Sequence, residues 1–384
     1  MKVAIVHEWL DTYAGSERVV EQLLHIWPEA DLFSVCDFLP EDERGFLGGR
    51  RPTTTFIQRL PFARKHFRKY LGLMPIAIEQ LDMTGYDLVV SSSHAVAKGV
   101  ITAPGQLHVS YIHSPMRYAW DLQHQYLRES GSDRGLKGLL ARTTLHKLRQ
   151  WDRSSAMGVD VLVGNSSYIA ERIRKVWRRD AAVVYPPVDV TRFALQRAKQ
   201  AGFLVASRMV PYKRIELVAA AFRRMKQHAL TIIGDGPNMK AVREAAGDAA
   251  NITFLGRVAQ PVLIEAMQNA RACLHAAEED FGIAIVEAQA CGTPMIAFGR
   301  GGAADIVRPP PDPAPTGLLF HEQSPEAIIA AVEAFLAIEP SITPEACRAN
   351  AERFSEAAFR DAMRALVAQH LVVQHLVVQH MGRG

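Results

Sequence analysis

The stretch that decides the fold is Ala272-Cys273-Leu274-His275-Ala276-Ala277-Glu278-Glu279-Asp280-Phe281-Gly282-Ile283-Ala284-Ile285-Val286-Glu287-Ala288-Gln289-Ala290-Cys291-Gly292-Thr293-Pro294-Met295-Ile296-Ala297. Residues 272 to 275 read as a short buried strand, and 276 to 282 as a loop. A helix is expected from about Ile283 to Gly292, a residue that suits a left-handed stop. Met295 to Ala297 then reads as the next strand. Strand, loop, helix, strand is the repeating unit of a parallel sheet covered on both faces.

The same rhythm extends in both directions. Phe203 to Ala206, Leu230 to Ile233 and Ile252 to Phe254 are strand-like, and each precedes a helical pattern. In the first half, Val3 to Val6, Leu88 to Ser91, Leu107 to Ile112 and Val161 to Val163 form a second series. After Val6 a polar loop is expected to Gly15, then a helix capped by Ser16 with Val19, Val20, Leu23 and Leu24 on one face. The prolines of Tyr185-Pro186-Pro187-Val188-Asp189 disfavour helix and central strand alike, so the linker is placed at about 186 to 200. The expectation is an α/β protein of two Rossmann-like domains, 1–188 and 200–355, with parallel sheets facing across a cleft. Residues 356–384 would supply a helix, near Ser355 to Val367, that crosses back to the first domain, and then a tail.

Composition agrees with this division. The chain has 384 residues, 48% hydrophobic and 22% charged, which is too long for one core and excludes disordered and fibrous classes. Cys36, Cys273, Cys291 and Cys347 show no CxxC or Cys/His spacing, so neither a disulfide framework nor a zinc site is indicated. His7 and Glu8 interrupt the N-terminal apolar run too early for a signal-peptide core, and no stretch approaches the roughly 20 apolar residues of a membrane span. A soluble, cytoplasmic protein is expected. The tail repeats Gln-His-Leu-Val-Val, placing His370, His375 and His380 about 140° apart on a helix. That spacing makes no metal site, and the end reads as disordered or weakly helical.

The chemistry gathers in the second half. Backbone amides at the start of the helix after Gly282 make an anion site suited to phosphate. Glu279 precedes those amides and Glu287 follows them by about one turn. Carboxylates beside a phosphate site require neutral donors, and the hydroxyls of a sugar or ribose supply them, because an ionised glutamate only accepts. Cations for a diphosphate come from Ser207-Arg208-Met209-Val210-Pro211-Tyr212-Lys213, with Arg208 as a fork and Lys213 as a point charge. No DxD motif suggests a metal in that role.

Arg208 with Lys213, Gly234-Asp235-Gly236-Pro237, Gly256-Arg257-Val258, Glu279 with Glu287, and Gly301-Gly302 resemble, in order and spacing, the family-4 retaining glycosyltransferases of the GT-B fold. Gly15-Ser16-Glu17-Arg18, His113-Ser114-Pro115 and Tyr185-Pro186-Pro187-Val188-Asp189 extend the resemblance over nearly the whole chain. Asp305 stands where many relatives have Glu, and Ala14-Gly15 where many have two glycines. The resemblance implies that Glu287 binds the ribose and Glu279 the sugar hydroxyls, while Arg208 and Lys213 hold the diphosphate. Gly15, Gly234, Phe281, Gly282 and Ile283 would also line the donor site, with Arg257 and Val258 near the base and His113 facing the transferred sugar. The run Ser110 to Asp121 looks like bacterial mannosyltransferases of surface-polysaccharide assembly. The family resemblance as a whole implies a retaining, metal-independent, cofactor-free transfer, with GDP-mannose the expected donor. UDP-sugar donors and a non-catalytic nucleotide-sugar-binding protein are the alternatives, and a nicotinamide oxidoreductase lacks its GxGxxG.

One segment carries an excess of charge. Arg44, Arg50, Arg51, Arg59, Arg64, Lys65, Arg68 and Lys69 fall between residues 44 and 78 with no acid, while the chain totals +4. Phe56, Leu60, Phe62, Phe67, Leu71 and Leu73 interleave with them. Anionic lipid attracts such a segment, so peripheral contact with the inner face of the cytoplasmic membrane and a lipid-linked saccharide acceptor are expected. No nucleic-acid partner is expected, since the second half is nearly neutral.

Overall fold

The computed structural model describes residues 1–200 and 202–381, which fall into two compact units. The first is Met1–Tyr185 with the chain from Phe359 onward, and the second is Pro186–Ala358.

In the first unit seven parallel strands are β1 (Val3–Leu10), β2 (Asp31–Asp37), β3 (Thr53–Thr54), β4 (Leu88–Ser93), β5 (Leu107–Ile112), β6 (Val161–Gly164) and β7 (Ala182–Val183). Their order is β3-β2-β1-β4-β5-β6-β7. Alternation along β1 sends Val3 and Ile5 to one face, with Val19, Val20 and Leu23 of the helix Gly15–Ile26. Ala4 and Val6 go to the other face, with Ile57, Phe67 and Ile78. The final helix, Glu356–Met381, buries Phe359, Met363 and Val367, spaced by four, against the first of these faces. It continues helically through the Gln-His-Leu-Val-Val repeat. The side chains of His375 and His380 lie outside the described residues.

The second unit has six parallel strands, β8 (Phe203–Ala206), β9 (Leu230–Ile233), β10 (Ile252–Gly256), β11 (Ala272–His275), β12 (Met295–Phe298) and β13 (Gly317–Phe320), in the order β10-β9-β8-β11-β12-β13. Phe203, Val205, Leu230, Ile232, Leu274 and Ile296 meet Val218 and Phe222 from one helix and Ile328, Val332 and Phe335 from another. Four residues suffice for β11 and β12, which are buried throughout.

Two local expectations are corrected. β1 does not yield to a loop at His7 but runs on to Leu10, and both His7 and Glu8 are fully buried in it. Their polar groups are satisfied by neighbours, which removes the cost that makes such residues look like loop. The cap of the first helix is Ala14, not Ser16. Glu17 reaches back to accept from the Ala14 amide at 3.0 Å and from the Ser16 hydroxyl at 3.0 Å, doing the work assigned to serine.

In both sheets strand order reverses beside the first strand of the unit, between β1 and β4 and between β8 and β11. The crevice beyond the carboxyl ends at such a reversal is where ligands of open α/β sheets bind.

Candidate functional site

Arg208 follows β8 and Glu279 follows β11, so they leave the two strands that flank the reversal in the second unit. A single tight turn, Pro211–Lys213, brings Lys213 across, and its ammonium pairs directly with Glu279. On the other side His275 Nε2, at the end of β11, lies 3.2 Å from Glu279 Oε2, within ion-pair reach but off the line of a directed hydrogen bond. Burial pushes the Glu279 carboxyl up, yet His275 and then Lys213 outweigh it and hold it down at about 2. Glu279 is therefore ionised at neutral pH, with acceptor capacity to spare. His275 escapes the sequence reading, although a titratable residue four positions before Glu279 was a signal for it.

Glycines fix these loops by letting backbones touch. A Cβ on Gly234 would collide with the Ser207 carbonyl, and one on Gly236 with the Met209 carbonyl. The Met209 amide donates to Asp235 O at 2.9 Å, the Asn238 amide to Met209 O at 2.9 Å, and the Gly234 amide to Gly256 O at 2.8 Å. The chain around Arg208 is thus clamped to the loop after β9, which is tied in turn to the end of β10. Arg208 itself is exposed and has no side-chain partner among the described residues. Gly301 and Gly302 act in the same way on the other loop. A Cβ on either would strike the backbone of Glu279 or Phe281, and the Gly302 amide donates to Glu279 O at 2.9 Å.

Gly282 has φ +107° and opens the helix Ile283–Ala290. Its position for a Cβ is 4.0 Å from Glu279 Oε2, so the carboxylate lies over the helix entry. The amides of Ile283 and Ala284 precede the first intrahelical bond, and Glu287 sits one turn further in, half-buried. The structure therefore brings Lys213, Glu279, Gly282 and Ile283 together. Phe281 is buried against Phe354, with ring centroids 5.6 Å apart. Arg257 and Val258 lie past the end of β10, two strands from β8, or roughly 10 Å at ordinary strand spacing.

Gly15 and His113 belong to the first unit, where Gly15 is the first residue of the helix Gly15–Ile26. His113 follows β5 and its Nε2 meets Ser92 Oγ at 2.8 Å. Burial, with His94 and His7 nearby, pushes the His113 ring down to about 3, so it is neutral. Glu8 fills the crevice at the reversal of this sheet. Its carboxylate accepts from the amides of His94 (3.0 Å), Ala95 (2.7 Å), Val96 (2.9 Å) and Ala97 (3.0 Å) and from the Ser93 hydroxyl (2.9 Å). Although burial opposes ionisation, the charge of His94 and these amides keep it lowered.

The basic segment is partly neutralised from outside itself. Asp37 pairs with Arg44, Glu41 with Arg51 at 2.8 Å, and Asp11 with Arg68 at 2.7 Å. Arg50, Arg59, Arg64, Lys65 and Lys69 keep their charge uncompensated by any carboxylate among the described residues. Phe62 among them is 81% exposed, and Leu73 and Ile76 are exposed as well. No single helix among the described residues is long and apolar enough to cross a membrane, and no cluster of three or more His, Cys, Asp or Glu among them is arranged to hold a metal ion.

Comparison with known proteins gives two family matches that meet near the unit boundary. Residues 13–192 match Glycosyltransferase Family 4, and residues 189–354 match Glycosyl transferases group 1. A GDP-mannose-dependent alpha-(1-6)-phosphatidylinositol monomannoside mannosyltransferase of Mycobacterium tuberculosis is 30% identical over 208 residues, 47% of this chain and 53% of that protein. A D-inositol 3-phosphate glycosyltransferase of Mycolicibacterium gilvum is 29% identical over 228 residues, 53% of this chain and 50% of that one. The chain spans about half the length of these curated relatives. In fold it is similar to Anabaena Alr3699/HepE, solved in complex with UDP, with a TM-score of 0.68 at 16% identity over 96% of this chain and 100% of the other.

Proposed function

This chain belongs to the group 1/family 4 glycosyltransferases of the GT-B fold, and from that premise we propose that it is a retaining, metal-independent hexosyltransferase. It moves mannose from GDP-mannose to a lipid-linked saccharide in surface-polysaccharide assembly. The observation that carries this reading is the ionised Glu279, held between Lys213 and His275 over the helix entry at Gly282. An acceptor-only group beside phosphate-binding amides suits the hydroxyls of an activated sugar and suits little else.

In this reading the donor's diphosphate takes Lys213 away from Glu279 and adds Arg208 and the amides of Ile283 and Ala284. Those groups stabilise the negative charge that grows as the bond from the anomeric carbon to phosphate oxygen breaks. The acceptor hydroxyl forms the new bond on the same face, and its proton passes to the departing phosphate oxygen. Glu279 holds the sugar by its hydroxyls, Glu287 the ribose, Arg257 and Val258 the base, and His113 accepts from a further sugar hydroxyl. Mannose is favoured by the GDP-mannose dependence of the mycobacterial relative. The five uncompensated cations, at about 1 kcal/mol each near anionic lipid, together with the exposed Phe62, Leu73 and Ile76, support peripheral docking at the inner face of the cytoplasmic membrane, where such an acceptor resides.

The test is release of free nucleoside diphosphate from GDP-mannose, UDP-glucose and similar donors, with a lipid extract as acceptor. Acceptor-dependent release from GDP-mannose, undiminished by chelator and lost in Glu279→Ala, is expected. Silence with every donor would replace the enzyme by a sugar-nucleotide-binding protein. Lipid docking is read by sedimentation with vesicles, where Arg64→Glu with Lys65→Glu should abolish binding that depends on anionic lipid.

A further inference from the structure

In the first unit a line of four side chains runs from the start of the helix Gly15–Ile26 to His113. Glu17 Oε1 is 3.3 Å from His7 Nε2, His7 Nδ1 is 3.2 Å from Ser92 Oγ, and Ser92 Oγ is 2.8 Å from His113 Nε2. Strand register builds it: His7 of β1 stands opposite Ser92 of β4, and β4 pairs with β5, which leads into His113. Glu17, His7 and Ser92 are buried, so no solvent competes for these contacts.

The direction of the first hydrogen bond in the line is set at its carboxylate end. Glu17 Oε2 already accepts from the Ala14 amide and the Ser16 hydroxyl, leaving Oε1 for His7. Burial raises the Glu17 carboxyl, but His7 holds it at about 2, so it is ionised and only accepts. His7 must therefore carry a proton on Nε2. With no second proton on the ring, Nδ1 accepts and Ser92 gives its one hydroxyl proton there; a second proton would make Nδ1 a donor and turn the rest of the line around. Ser92 Oγ is left as an acceptor, which requires the proton of His113 to sit on Nε2. The other nitrogen of His113, Nδ1, has no hydrogen-bond partner among the described residues, and the residue is partly exposed.

We propose that His7 carries a single ring proton, and that Glu17 and His7 are positioning residues that act through Ser92 to hold His113 as its Nε2–H tautomer, leaving a bare Nδ1 for a hydroxyl of the transferred sugar. The part that concerns sugar rests on the function proposed above; the tautomer stands on this unit alone. A ring locked as an acceptor favours a donor sugar that presents a hydroxyl at that point over a deoxy analogue.

Glu17→Gln reverses the line with hardly a change of shape. Its single carbonyl oxygen is claimed by the Ala14 amide and Ser16, turning the NH2 toward His7. His7 then accepts at Nε2 and donates from Nδ1, Ser92 donates to His113 Nε2, and the His113 proton moves to Nδ1. Nitrogen-15 spectra of the imidazoles in the full chain, without substrate, read this directly. In the wild type His113 should show a pyrrole-type Nε2 and a pyridine-type Nδ1, exchanged in Glu17→Gln. Ser92→Ala cuts the line without touching the helix cap, and should make the His113 signals indifferent to residue 17. A wild-type His113 protonated on Nδ1, a doubly protonated His7, or His113 signals unmoved by Glu17→Gln would overturn the proposal. Should Glu17→Gln fail to fold, the Ser92→Ala spectrum decides, and unchanged His113 shifts there would also overturn it.

In turnover, Glu17→Gln should raise KM for the donor sugar about tenfold and cost nothing more in a His113→Ala background. An equal cost in that background would make Glu17 merely structural and sink the positioning role. Reversed spectra with no turnover from any donor would uphold the tautomer and remove the glycosyltransferase reading instead.

Discussion

The two units are built on one plan and diverge at one place. Both sheets reverse direction beside their first strand, β1 in one and β8 in the other. In the first unit that strand carries Glu8, whose carboxylate occupies the amides of residues 94 to 97. β8 is Phe203-Leu204-Val205-Ala206 and carries no acid. The carboxylate of the second unit comes instead from the loop after β11, as Glu279, and is balanced by Lys213 and His275 rather than sunk into amides. Topology supplies a crevice in each case, and the side chains decide whether the protein fills it itself. The first unit fills its crevice with its own anion, so the amides of residues 94 to 97 are already taken.

Removing each carboxylate in turn separates the two units. Glu8→Ala strands four amides and a hydroxyl, and should cost the first unit on the order of 3–5 kcal/mol. Glu279→Ala should cost the second unit less, about 1–3 kcal/mol, since its carboxylate keeps some exposure and answers two side chains rather than four amides. Urea melts followed by hydrogen exchange in each unit would check both, and a stable Glu8→Ala protein would contradict the division of roles. A second effect, of about 3 kcal/mol, is expected for Gly302→Ala, whose methyl would drive into the Phe281 backbone. Donor binding should fall with it, because the same contact fixes the Glu279 loop. Unaltered binding would show that the loop is held by other means.

Acid should separate the units more gently. Burial pushes His108 down to about 4 and His113 to about 3. Unfolded imidazoles take up protons near pH 6.5, where the folded rings refuse them. Their contribution is complete above pH 6.5 and is lost as pH falls toward those values, about 2 kcal/mol per ring by pH 5. Glu279 contributes stability that is complete above pH 4.5 and lost only toward about 2. Between pH 6.5 and 5 the first unit should therefore weaken while the second holds. Unit-resolved exchange rates with parallel pH dependence would contradict this. The smallest effect is no effect: all four cysteines are buried, and burial raises the thiols of Cys36, Cys291 and Cys347 to about 12. A thiol reagent should label none of them in the native protein.

Short apolar runs bounded by Gly and Pro made most of the sheet legible, with Leu107–Ile112, Phe203–Ala206, Leu230–Ile233 and Ala272–His275 read at their true bounds. What stayed hidden depended on partners distant in sequence. His7 and Glu8 look like the start of a loop until residues 92 to 97 are folded beside them. β2, β3, β7 and β13 carry no strand signal of their own: β3 and β7 are two residues long, Ser34 interrupts the apolar run of β2, and a run such as Gly317–Phe320 cannot be told from part of a helix by periodicity. At the site, Glu279, Lys213 and Gly282 stood out by residue type and spacing, but the pairing of Lys213 with Glu279 joins residues 66 apart. Ser92 gave no signal, because a serine inside a buried strand shows its value only when both neighbouring strands are in register.

In the function proposed above, Glu279 grips the sugar while the groups around it hold the diphosphate. The most direct measurement is calorimetric affinity for GDP and for GDP-mannose in the wild type and in Glu279→Ala. Loss of at least tenfold for GDP-mannose, with GDP binding unchanged or tighter once Lys213 is released, is the predicted result. Equal losses for both ligands, or none for either, would contradict it.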